Sequence, residues 1–138
     1  MLIPPDITRL QSGAGLITAL YYELILDLDI NIQVDILPAL GTHAPMTREE
    51  QIVFFGDKIP ANHFLVHNWR DGVSKIGEIP GGFVNEISGG LMHETMDVEI
   101  SNYLLDPKYD LILSIGQVVP HEVAGMANYT KNIIIGCG

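Results

Sequence analysis

The sequence predicts an α/β fold, a largely parallel sheet flanked by helices. Three observations predict it. Leu16, Ile17, Leu20, Leu24 and Ile25 recur at helical spacing. Ile32, Val34 and Ile36 alternate with Gln33 and Asp35, the period of a strand. Residues 111–115 are apolar almost throughout, as expected of a central parallel strand covered on both faces. Strands that alternate with helices define the class.

Taken in order, Met1 leads at once into Leu2-Ile3-Pro4-Pro5, which is too short to make a convincing first strand. The helix is expected over about residues 12–27, with Ser12 as its N-cap and Gly13-Ala14-Gly15 in a tight first turn. Residues 32–36 then read as a strand with one polar face. Thr47-Arg48-Glu49-Glu50 is a capping box that opens a short helix, and Gly56 closes it. Residues 63–69 and 73–79 read as strands around Arg70-Asp71-Gly72, with Asp-Gly as the turn signal. Gly81-Gly82 and Gly89-Gly90 read as turns, and residues 98–105 fit a strand or a helix.

The bulk composition narrows the function. The 138 residues amount to one domain, 47% hydrophobic and 17% charged. A formal charge of -10 leaves no basic face for a phosphate backbone, which argues against nucleic acid as a partner. Cys137 is the single cysteine, so no internal disulfide forms. No apolar run approaches the roughly 20 residues that span a bilayer, and Met1-Leu2-Ile3-Pro4-Pro5-Asp6 lacks the regions of a signal peptide. A cytoplasmic protein without a membrane partner is the expectation. The apolar run Ile133-Ile134-Ile135 stops just as a glycine turn begins. We therefore expect a single domain truncated at both ends, whose exposed apolar run would favour homo-oligomers.

In open α/β sheets the ligand crevice lies beyond the carboxyl ends of the strands. Residues 6–9, 41–43 and 116–121 fall there. Arg9, before a helix start, suits a carboxylate or phosphate bound bidentately, although a turn salt bridge with Asp6 would also explain it. His43 and His121, each in a loop that follows a strand, are candidate general bases, since imidazole titrates near neutrality. Lys131 could bind phosphate, act as a covalent nucleophile or lie on the surface. His63 and His67 would suit a metal if helical, but Phe64, Val66 and Trp69 argue for a strand, so no metal is assigned there. His93 reads as a surface loop residue. No phosphate-binding glycine fingerprint occurs.

Asp6-x-Thr8-Arg9, Gly41-Thr42-His43-x-Pro45-Met46, and Pro120-His121 with Lys131 ten residues on together resemble the N-terminal domain of nickel-dependent lactate racemase. The resemblance spans nearly the whole chain and implies a two-domain enzyme of which this chain is about a third, its partner being the missing C-terminal domain. It further implies that Lys131 covalently holds a nickel-pincer nucleotide, with Thr8 in the same pocket. His43 and His121 would be the catalytic acid–base pair, and Arg9 and Asp6 would bind the substrate. The implied reaction is racemisation or epimerisation of a 2-hydroxy acid by hydride abstraction and return. The implied nickel-ligating histidine lies beyond Gly138, so no metal ligand is assigned within the chain.

One departure bears on the substrate. Residues 122–130 read Glu-Val-Ala-Gly-Met-Ala-Asn-Tyr-Thr, where the lactate enzymes carry a Phe-Ser-Gly-Gly-like stretch. Two rival readings remain at this point. One is a same-fold enzyme acting on another hydroxy or sugar acid, for example by elimination; the other is a non-catalytic anion-binding domain.

Overall fold

The computed structural model describes residues 1–28 and 31–138. Its centre is a four-stranded parallel layer. Strand β1 (Leu2–Ile3) pairs in parallel with a strand at Leu113–Ser114, and the Ile115 amide donates to the Ile3 carbonyl at 2.9 Å. On its other side β1 meets the extended segment 35–39. There the Leu2 amide donates to Asp35, Leu37 to Leu2 and Ala39 to Pro4, at 2.8–2.9 Å. The Ile36 amide donates to His63 and the Leu65 amide to Ile36, which adds a fourth extended piece at 64–65. Leu2-Ile3 therefore lies inside the sheet, where sequence length alone argues against a strand. Residues 113–115 form its edge and not its centre among the described residues.

Alternate side chains on this layer serve two cores. Leu2, Val34, Ile36 and Ile115 pack with Tyr22, Phe54 and Phe55 on one face. Ile3, Leu37 and Met1 pack with Cys137 and Ile133 on the other. Burial on both faces suits parallel strands and removes the polar face expected for residues 32–36. Asp35 is buried, and its carboxylate is satisfied by the Tyr109 hydroxyl and by Gln33 Nε2 at 2.9 Å. Burial, with Asp35 adding to it, pushes the Tyr109 phenol up to about 12.

Helix α1 (Ala14–Asp27) follows a 3-10 turn at Ile7–Ser12, and the Ser12 hydroxyl accepts from the Ala14 amide at 3.2 Å. Its buried face is not the leucine stripe. Ala14, Gly15, Thr18 and Tyr22 face inward, while Leu16, Ile17, Leu20 and Leu24 are exposed. The cause is a close approach to helix α2 (Arg48–Phe55). A Cβ on Gly15 would lie 1.8 Å from the Phe54 carbonyl oxygen, so only small residues fit the contact. Helix α2 carries the expected capping box. Thr47 Oγ1 accepts from the Glu50 amide at 3.2 Å, and Glu50 Oε2 accepts from the Thr47 amide at 2.8 Å.

Strand β2 (Val73–Ile79) pairs antiparallel with β3 (Met96–Ser101), and not with residues 63–69 across Arg70-Asp71-Gly72. Gly81-Gly82 opens helix α3 (Gly81–Ile87) inside the connection; it is not a turn. The ambiguous stretch after residue 98 is both things in succession, strand β3 and then a 3-10 turn at Asn102–Leu105. The strand at Leu113–Ser114 is β4. It is followed by the small hairpin β5 (Pro120–His121) and β6 (Gly125–Met126), then by helix α4 (Thr130–Ile134).

The last residues dock and are not left loose. Cys137 is fully buried, its carbonyl accepts from Ser101 at 2.6 Å, and the Gly136 carbonyl accepts from Gly41 at 2.8 Å. Ile133 joins the second core, whereas Ile134 and Ile135 are exposed. His67 is buried beside this end, with Nε2 3.2 Å from the Gly138 carbonyl and Nδ1 without a partner. Burial holds its pKa below the ordinary 6.5. The unfolded chain therefore binds a proton more readily than the fold. Its contribution to stability is full above about pH 6.5 and is lost as pH falls through the lower folded value. Urea titrations at pH 7.5 and 5.5 are expected to show a smaller loss of stability on acidification for His67→Gln than for the native chain.

Candidate active site

Three strand ends converge. After β1, Asp6 caps the 3-10 turn, its Oδ1 accepting from the Thr8 amide at 3.1 Å and from the Thr8 hydroxyl at 2.5 Å. The other oxygen, Oδ2, lies 2.5 Å from His43 Nδ1. Asp6 is only 4% exposed, while the His43 side chain is 58% exposed. A desolvated carboxylate thus grips one ring nitrogen and leaves Nε2 facing outward. His43 is delivered by the turn after segment 35–39, where Gly41 adopts a left-handed φ of 55° and the His43 amide bonds Leu40 at 3.0 Å.

Asp6, Thr8, Arg9, His43 and Lys131 line one cavity of about 280 Å³, at the small end of ligand pockets. The alternative Asp6–Arg9 bridge does not form; the Asp6 oxygens instead meet Thr8 and His43. Elsewhere the cations are engaged. Lys58 pairs with Glu23, Lys75 with Asp97 and Glu78, and Lys108 with Asp35 and Asp106. Arg48 bonds Gln51 and the Ile59 carbonyl, and Arg70 stacks over Trp69. Of the described lysines and arginines, only Arg9 and Lys131 have side chains with no ion pair, hydrogen bond or aromatic stacking partner. In a chain of charge -10, two such cations in one cavity give it a local charge that could attract an anion.

Lys131 is held by its neighbours in α4. Its amide donates to the Asn128 carbonyl at 3.0 Å. The Asn128 side chain accepts from Ser114 Oγ at 2.9 Å and from Asn132 Nδ2 at 2.6 Å, and donates to the Gly116 carbonyl at 2.9 Å. This clamp ties the end of β4 to the start of α4. Asn128 and Tyr129 both have positive φ, 55° and 54°, an arrangement natural to glycine and costly for tyrosine. Asn128 and Asn132 also line the cavity and were missed by sequence reasoning. The available signal was an Asn just before a helix start, where a left-handed residue is tolerated.

His121 does not line the cavity. It sits on β5, which directly follows the cavity-lining Val119. Its Nδ1 accepts from the amides of Val123 and Ala124, both at 3.1 Å. Adjacent Glu122 is exposed, and its pKa is lowered by a backbone hydrogen bond, then by His121, with smaller contributions from Arg9 and Lys131. The hairpin therefore stands close to the cavity's cations.

The remaining histidines lie apart. His63 Nδ1 is 2.7 Å from the Val34 carbonyl, its ring edge-on to Tyr22, while His67 meets Gly138. His93 is exposed. Among the described residues, no group of three or more His, Cys, Asp or Glu side chains could hold a metal ion, and no helix is long and apolar enough to cross a membrane.

The family described as lactate racemase N-terminal domain matches residues 1–138. Two solved structures share the fold at 25% identity over 99% of this chain. One is a Thermotoga maritima protein, with a TM-score of 0.83; the other is the lactate racemase apoprotein of Thermoanaerobacterium thermosaccharolyticum, at 0.73. The chain spans 33% and 30% of their lengths, about a third of each. No curated protein matches.

Proposed function

Because the chain belongs to the lactate racemase N-terminal domain family, we infer that it carries the proton-handling and anchoring part of a 2-hydroxy-acid racemase or epimerase. The observation that carries this reading is the buried Asp6 carboxylate on His43 Nδ1, in a cavity shared with unpaired Arg9 and Lys131. A general base needs a ring nitrogen presented to the reacting proton and a partner that orients it. An acid substrate needs a cation, and a covalently tethered cofactor needs a free amine.

The donor set fits a nickel-pincer nucleotide. Lys131 offers a free amine to tether it, and the Thr8 hydroxyl stands in the same cavity. When bound, that group supplies the acceptor and donor for the hydride at C2. The chain's own residues do the rest. Arg9 binds the substrate carboxylate in a bidentate grip, with Asp6 closing the other side of the pocket through its imidazole partner. His43 takes the hydroxyl proton at Nε2 as C2 becomes planar. His121 belongs to the same proton-handling pair from the β5–β6 hairpin. Hydride would return to either face of the planar keto acid, and a histidine would return the proton to its oxygen.

The remaining groups come from the part of the protein that corresponds to the other two-thirds of the solved relatives, including a nickel-ligating histidine. The chain is therefore expected to be inactive alone. The test is to assay it beside the full-length protein, both supplied with cofactor and nickel, for interconversion of 2-hydroxy-acid enantiomers. Interconversion by the full-length protein only is the expected result. Ligand binding without turnover in both would favour an anion-binding domain, and elimination products would favour a same-fold enzyme of another reaction.

A further inference from the structure

One backbone carbonyl fixes the orientation of two side-chain amides beside Lys131. The Gly116 carbonyl can only accept, so the amide nitrogen of Asn128 faces it, at 2.9 Å. Asn128 Oδ1 then faces the other way, accepting from Ser114 Oγ at 2.9 Å and from Asn132 Nδ2 at 2.6 Å. With its nitrogen committed to Asn128, Asn132 must present its own oxygen elsewhere. That Oδ1 takes no hydrogen bond among the described residues, although Asn132 is only 4% exposed and lines the cavity. Water can serve such an acceptor until a ligand displaces it. From then on, a donor carried by the ligand must replace the water, or the acceptor is left unmet at a cost.

We propose that Asn132 Oδ1 is a hydroxyl subsite, accepting from a hydroxyl of the bound ligand other than the one at C2. The C2 hydroxyl does not serve, because on the racemase reading its proton goes to His43. A carboxylate has no proton to donate and belongs at Arg9. A cationic donor is opposed by Arg9 and Lys131 in the same cavity. Two sources of hydroxyl remain: a polyhydroxylated acid substrate, or the ribose of the tethered nucleotide. The choice of ligand rests on the racemase reading; the free acceptor does not.

Equilibrium binding to the cofactor-free full-length protein tests the subsite with two matched pairs of probes. Glycerate differs from lactate by one hydroxyl, and ribose 5-phosphate from its 2-deoxy counterpart by another. One gained hydrogen bond is expected to tighten binding within one pair about tenfold. A preference within the acid pair puts the hydroxyl on the substrate, and one within the ribose pair puts it on the nucleotide. Asn132→Ala is expected to bring the hydroxylated probe down to the affinity of its partner. No preference in either pair, or one that survives Asn132→Ala, would overturn the proposal. Nitrogen-15 spectra of the Asn132 side-chain amide give a second reading that needs no variant. The preferred probe is expected to shift this amide more than its partner does, and equal shifts would count against the subsite. If the cofactor-loaded protein interconverts no 2-hydroxy acid, the racemase reading fails, and these binding comparisons still decide the subsite.

Discussion

Asp6→Asn is expected to lower the turnover of the full-length protein by about 10⁴-fold, the scale seen when a triad aspartate is made neutral and the histidine adopts the wrong tautomer. The amide is nearly the same size as the carboxylate and can still accept from the Thr8 amide, so the turn at Ile7–Ser12 should survive. What changes is the group facing His43 Nδ1. A carboxylate at 2.5 Å accepts from Nδ1–H and leaves the lone pair on Nε2, whereas an amide can present either an oxygen or an N–H group. Steady-state kinetics on both enantiomers, beside thermal melts of the same samples, separate this loss from a folding defect. A large fall in kcat with a small change in Tm is the expected pattern. A proportionate fall in both would reduce Asp6 to a cap.

The largest stability effect is expected at Gly15. Substitution by alanine places a methyl group 1.8 Å from the Phe54 carbonyl oxygen and 2.7 Å from its carbon, both backbone atoms that cannot turn aside. Helices α1 and α2 would have to separate, opening the core that holds Tyr22, Phe54 and Phe55. Overpacking of this kind costs about 3 kcal/mol, enough to move a urea midpoint well outside error. Gly82→Ala in α3 is the control. It meets nothing within 4 Å and should be neutral or stabilising by up to about 1 kcal/mol.

That same contact explains where sequence reasoning on the fold succeeded and failed. Helical spacing located α1 correctly, but the stripe of Leu16, Leu20 and Leu24 named the wrong face. Hydrophobic periodicity reports which side chains prefer to leave water. It does not report how closely two backbones approach, and at α1–α2 closeness selected Ala14, Gly15 and Thr18. The capping box at Thr47 was legible because its two hydrogen bonds are local and depend on residues three apart. Leu2-Ile3 was not, since a two-residue strand is stable only with neighbours contributed from residues 35–39 and 113–115. Likewise Asp71-Gly72 carried a turn signal, yet β2 found its partner at Met96–Ser101, beyond a helix that the glycine pair opened.

The site was more legible than the sheet. Residues 6–9 and His43 could be placed at one crevice because they follow strands or precede a helix. Lys131 was assigned to it only by the family resemblance, and His121, placed there on the same positional ground as His43, does not line the cavity. The Asp6–His43 contact was not predictable, as it joins residues 37 apart in sequence. Nor was the absence of an ion pair at Arg9. The departure over residues 122–130 was visible in the sequence, but not that Asn128 and Tyr129 would adopt positive φ or that Asn128 would act as a clamp.

The central claim is that this cavity tethers a cofactor through Lys131. The intact mass of the full-length protein, produced together with the enzymes that make the nickel-pincer nucleotide, tests it most directly. A covalent adduct that peptide mapping places on Lys131, and that disappears in Lys131→Ala, is the predicted result. Turnover of 2-hydroxy acids by protein whose Lys131 is unmodified, or an adduct on Lys58, Lys75 or Lys108 instead, would contradict it.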